Sequence, residues 1–131
     1  MVKPSENTIY NIHDPLGVKL LSRLRLGFSH LREHKFRHNF SDTINPLCPC
    51  SLEPETTTHF LLHCRNYSNL CTTLMSDLYS IDPSRIVTNE TNLVQLLLFG
   101  NSKYDFETNR KILLTTIKYL KNSLRFDEKL F

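Results

Sequence analysis

The stretch CPCSLEPETTTHFLLHC, running from Cys48 to Cys64, decides how this chain folds. It sets out Cys48, Cys50, His59 and Cys64, three thiolates and one imidazole, which is the number and type of ligand a tetrahedral structural zinc site takes. With all four positions filled by protein, no position remains for the water that zinc hydrolysis needs, so the spacing predicts a structural Zn2+. The one-residue gap between Cys48 and Cys50 is tighter than the usual two to four. His63 lies four residues after His59, on the same face of a regular helix, and is an alternative ligand to Cys64. Cys71 is a further substitute, although it also reads as a core thiol, and plain burial of all four cysteines is the bland alternative.

Outward from this run the pattern is helical. Asp14-Pro15 is a cap followed by a proline suited to a first helical turn. Leu16, Leu20, Leu24, Phe28 and Leu31 then recur at spacings of four and three, which predicts one helix to about Lys35 inside a basic segment 15–38. Gly17 and Gly27 weaken it by about 1 kcal/mol each relative to Ala. Residues 1–14 carry no sustained apolar period and are expected to be irregular. Ser41 to Pro46 is a break leading into a zinc motif at 45–66. Thr56 to Thr58 can cap a short helix bearing His59 to Cys64.

Leu70, Leu74 and Leu78 predict a helix from Asn69 to Tyr79, and Asp82-Pro83 predicts a short one through Val87. Leu93 to Phe99, closed by Gly100, reads as a short buried helix. Asp105 to about Arg125 reads as the last, with Phe106, Leu113, Ile117, Leu120 and Leu124 on one face and Lys111, Lys118, Lys121 and Arg125 on another. The fold class expected is all-α, a small helical domain over 15–131 with one zinc-stapled loop and C-terminal helices over 69–126.

Composition bounds the function. At 131 residues and 40% hydrophobic content the chain can bury one modest core that a metal would reinforce. No apolar run approaches the roughly 18 residues needed to cross a bilayer, so an intracellular, nuclear or cytoplasmic protein with no membrane contact is expected, and cysteines kept reduced there favour metal over disulfides. The net charge is +3, but residues 48–102 hold two Lys/Arg against five Asp/Glu, while 1–47 and 103–131 each hold seven against four. Such flanks suit a polyanion. The candidate contacts to RNA or DNA are Arg23, Arg25, Arg32, Lys35 and Arg37, with Lys118 and Lys121 as a weaker second patch.

Three segments, RLRLGFSHLR at 23–32, NPLCPC at 45–50 and ETTTHFLLHC at 55–64, resemble the C-terminal tail of reverse transcriptases of non-LTR (LINE-type) retrotransposons. The likeness extends weakly to the closing helix and to 125–131. In that family the Cys, Cys, His and Cys are taken as zinc ligands, which here are Cys48, Cys50, His59 and Cys64. The resemblance implies a nucleic-acid-contacting accessory segment of a longer protein, working beside an upstream polymerase domain when element RNA is copied at its target.

No polymerase motif, glycine-rich phosphate loop or acid cluster is present in the sequence, so no catalytic residue, small-molecule substrate or enzyme activity is expected. Asp77 and Asp82 read as helix caps. Two other classes stay open: a zinc-stapled docking module using the apolar faces of 16–31 and 93–99, and a remnant of a nuclease.

Overall fold

The computed structural model describes residues 12–50, 53–83 and 89–126. Asp14 starts helix α1 (Pro15–Leu26): its Oδ1 accepts the Gly17 N–H at 3.0 Å, and Pro15 sits in the first turn, where its missing N–H would have found no helical partner. The helix stops at Leu26. Gly27 is left-handed (φ 75°), and the Gly27 and Phe28 N–H groups return to the carbonyls of Leu24 and Arg23 at 3.3 and 3.0 Å, a Schellman closure. The chain restarts as α2 (Arg32–Arg37).

The single basic helix expected over 15–38 is therefore two helices, because Gly27 is a terminator and not merely a weak helical residue. Beyond it the Ser29 hydroxyl accepts the Leu31 N–H at 3.2 Å, which holds a non-helical turn. Leu20, Leu24 and Leu31 are buried as their spacing predicts. Leu16 and Phe28, expected on that same face, are 37% and 60% exposed, and Leu21 is buried instead.

Helix α3 (Ser68–Ile81) buries Leu74 and Leu78. Asp82 and Pro83 lie outside any helix, and the remainder of the short helix expected through Val87 falls outside the described residues. Helix α4 (Glu90–Phe99) begins where Asn89 accepts the Asn92 N–H at 2.8 Å and ends at Gly100, whose positive φ of 74° suits glycine. Helix α5 (Phe106–Asn122) is capped by Asp105, which accepts the Thr108 N–H at 2.7 Å. It stops short of the predicted Arg125, since Leu124 turns the chain at φ 57° and is exposed, as is Phe106.

Helix α5 is the central strut, with α1, α3 and α4 packed on it. Ile112, Leu113, Ile117 and Leu120 meet Leu20, Leu21, Leu24, Leu74, Leu78, Leu93 and Leu97 in one apolar cluster. Gly17 has a packing reason here: a Cβ would lie 2.5 Å from Ile117 Cγ2, so glycine permits α1 and α5 to touch. Phe60 is fully buried, with Tyr67, Tyr119 and Phe126 edge-on at 5.2, 5.3 and 5.4 Å, and the Tyr119 hydroxyl donates to the Phe60 carbonyl at 2.5 Å. The fold is all-α; among the described residues the extended backbone amounts to one antiparallel bridge between Leu47 and Pro54. No helix among them is long and apolar enough to cross a membrane.

Candidate metal centre

The bridge between Leu47 and Pro54 turns the cysteine loop back on itself. The Cys48 N–H donates to the Glu53 carbonyl at 3.0 Å and the Glu55 N–H to the Pro46 carbonyl at 2.8 Å, presenting Cys48 and Cys50 from one side. His59 comes from the other. Its N–H donates to Thr56 Oγ1 at 3.1 Å, which starts the turn, and the turn His59–His63 is π-helical, closed by the Cys64 N–H on the His59 carbonyl at 2.7 Å.

The wider turn decides between the alternative ligands. In an α-helix the residue four after His59 would share its face; an i→i+5 turn brings Cys64 there and rotates His63 outward. His63 is exposed and pairs with Glu90 Oε2 at 2.9 Å. Cys71 lies apart, its thiol on the Leu62 carbonyl at 3.6 Å. Cys48, Cys50, His59 and Cys64 are all buried, and their ligand atoms lie within 4.8 Å of one another.

These residues fit a tetrahedral dication. Zinc bonds of the usual lengths place sulfurs about 3.8 Å apart, and sulfur about 3.6 Å from nitrogen. Cys48 Sγ and Cys64 Sγ are 3.6 Å apart, and Cys50 Sγ is 3.3 Å from His59 Nε2. His59 Nδ1 faces Glu53 Oε1 at 2.5 Å, the carboxylate–imidazole arrangement that fixes a ligand histidine with its proton on the far nitrogen.

Burial pushes the Cys48 thiol up to about 12 and moves Cys64 in the same direction, so without a cation these groups stay protonated. A bound dication reverses that preference. Three thiolates against one divalent cation leave a single net negative charge, and the Arg65 guanidinium, hydrogen-bonded to the Cys50 carbonyl at 3.3 Å, stands beside it.

A second centre, missed in the sequence, adjoins the first. Glu55, 1% exposed, accepts from Arg125 Nε at 2.9 Å, from Arg125 Nη2 at 2.7 Å and from the Arg32 N–H at 2.8 Å, while its carbonyl takes the Glu33 N–H at 3.3 Å. Arg125 Nη2 also reaches the His30 carbonyl at 2.8 Å. The Glu55 carboxylate holds the Arg125 guanidinium above its ordinary pKa. One carboxylate thus ties the metal loop, the start of α2 and the C-terminal segment together. His34 reinforces this: the Ser29 N–H reaches Nδ1 at 3.3 Å, leaving Nε2–H to face Thr57 Oγ1 at 3.3 Å.

The predicted cationic residues divide. Arg25 Nε donates to the Leu98 carbonyl at 2.5 Å with its guanidinium over Phe99, which joins α1 to α4. Lys118 pairs with Asp77 at 3.1 Å and Lys121 with Asp14 at 3.0 Å. Arg32, Lys35 and Arg37 gather on α2, where Lys35 meets Asp42 at 2.5 Å and Arg37 meets Glu33 at 3.7 Å. Arg23 lies in the last turn of α1. Asp77 serves Lys118 rather than a helix N-terminus, and Asp82 accepts the Tyr104 hydroxyl, while the helix it was expected to cap falls outside the described residues.

Compared with known proteins, the chain matches no family model, no curated protein and no solved structure.

Proposed function

We propose that Cys48, Cys50, His59 and Cys64 hold one structural Zn2+, and that the chain is a non-catalytic nucleic-acid-binding segment. The metal supplies closure of the cysteine loop. The observation that carries the reading is Glu55: it stands between the bridge residue Pro54 and the turn-capping Thr56, and its carboxylate fixes the N-terminus of α2, where Arg32, Lys35 and Arg37 lie. A loop closed by metal therefore orients a basic helix. The resemblance of residues 23–64 to the tails of LINE-type reverse transcriptases supports placing this module beside a polymerase, in contact with RNA or DNA. The docking reading has less support, because the apolar residues of 93–98 and Leu20, Leu24 and Leu31 are occupied in the core.

Cobalt substitution tests the metal, and salt titration tests the nucleic acid. One cobalt per chain is expected, with the absorption of a tetrahedral three-thiolate site, abolished by Cys50→Ser or His59→Ala and retained in His63→Ala. Affinity for RNA or DNA is expected to fall steeply with salt, as released counterions require. Retention of the cobalt spectrum in His59→Ala overturns the ligand set; salt-independent binding, or none, overturns the nucleic-acid reading.

A further inference from the structure

Helix α2 is bracketed by two left-handed residues, Gly27 (φ 75°) and Asn39 (φ 60°). At its far end the Asn39 and Phe40 N–H groups return to the Phe36 and Lys35 carbonyls at 3.1 and 3.0 Å. With the chain reversing at both ends, Phe28 and Phe40 lie back over the outer surface of α2. Phe28 stacks on the His38 ring at 4.2 Å with an interplanar angle of 14°, and Lys35 Nζ stands 5.9 Å over the Phe40 ring. Lys35 and His38, the residue that closes α2 with its N–H on the His34 carbonyl, are three residues apart and so stand one turn from each other. Phe40, Lys35, His38 and Phe28 form one stripe.

Phe28, Phe36 and Phe40 are 60%, 44% and 49% exposed, so their rings contribute little to the core. We infer that this stripe is a stacking platform for unpaired bases, with Arg32 and Arg37 taking the phosphates, and that the ligand is single-stranded nucleic acid. The inference rests on the nucleic-acid reading above and names its form. Phenylalanine can stack only on a base whose face is open, which duplex bases are not, and stacking together with cationic side chains is the chemistry of sequence-tolerant single-strand binding.

The test uses the full zinc-loaded chain, with a fluorescein-labelled oligouridylate and a blunt DNA duplex of equal phosphate count, read by anisotropy across a salt series. The oligouridylate is expected to bind more tightly. Phe28→Ala and Phe40→Ala are each expected to weaken it about fivefold or more while leaving the salt slope and duplex affinity unchanged. Arg32→Gln with Arg37→Gln flattens the slope for both ligands. Phe28→Leu keeps apolar area without a ring and is expected to behave as Phe28→Ala; unchanged helical circular dichroism and zinc content verify folding in every variant. Wild-type binding that survives the ring substitutions, prefers duplex, or is restored by leucine overturns the platform and leaves the basic module standing. Binding to neither ligand removes the nucleic-acid reading itself and the platform with it.

Discussion

Replacing Arg125 with methionine keeps most of the side-chain volume and removes three hydrogen bonds: two to Glu55, at 2.9 and 2.7 Å, and one to the His30 carbonyl at 2.8 Å. The Glu55 carboxylate, 1% exposed, is left with the Arg32 N–H. Removing one partner of a buried pair costs about 3–5 kcal/mol, because the remaining charge is uncompensated. With a urea slope of about 2 kcal/mol per molar, the midpoint of the zinc-loaded protein at pH 7 falls by about 1.5–2.5 M. The double variant Glu55→Gln with Arg125→Met buries no charge and recovers most of the loss. A midpoint shift below about 0.3 M, or a double variant no more stable than Arg125→Met alone, would refute the assignment of Glu55 as a buried hub.

Glu53→Ala is expected to lower metal affinity about 10- to 100-fold while preserving the tetrahedral cobalt spectrum, since it frees the His59 ring without removing a ligand; competition with a chromophoric chelator measures it, and unchanged affinity would show the contact to be incidental. His34 should make stability pH-dependent. Burial, partly opposed by Glu33, lowers its pKa below 6.5, so its stabilising effect is complete above pH 6.5 and is lost as the pH falls toward the lower folded value. His34→Asn should flatten the decline of the urea midpoint over that window; parallel curves for variant and wild type would contradict it.

The sequence made the candidate metal cluster legible because four soft or borderline donors within one short stretch have few other uses, and the helices because apolar residues recur at helical spacing. What it hid depends on partners far away along the chain. Glu53 and Glu55 look like solvated loop acids, yet one faces the His59 ring and the other is buried by Arg125, seventy residues on. Lys118 and Lys121 read as a cationic face, but Asp77 and Asp14 meet them from α3 and from the start of α1. Choosing Cys64 over His63 required the π-turn, which no periodicity rule anticipates.

Gly27 shows how one local misreading redistributes function. As a weak residue inside a long helix, it would place Phe28 among the core leucines and spread the cations along a rod. As a left-handed stop it puts Phe28 outside, against His38, and packs the Arg37 guanidinium onto its own carbonyl at 3.3 Å. Arg32, Lys35 and Arg37 then share one short helix, with Asp42 and Glu33 meeting the last two, while Arg25 is turned inward to the Leu98 carbonyl and Lys118 and Lys121 stand elsewhere, paired with Asp77 and Asp14. A six-residue helix has little stability of its own. Its position depends on Glu55 at one end and on the Gly27 carbonyl, gripped by Arg37 and His38, at the other. The surface proposed to meet nucleic acid is thus held by tertiary contacts, chiefly from the loop that carries the metal-ligand candidates.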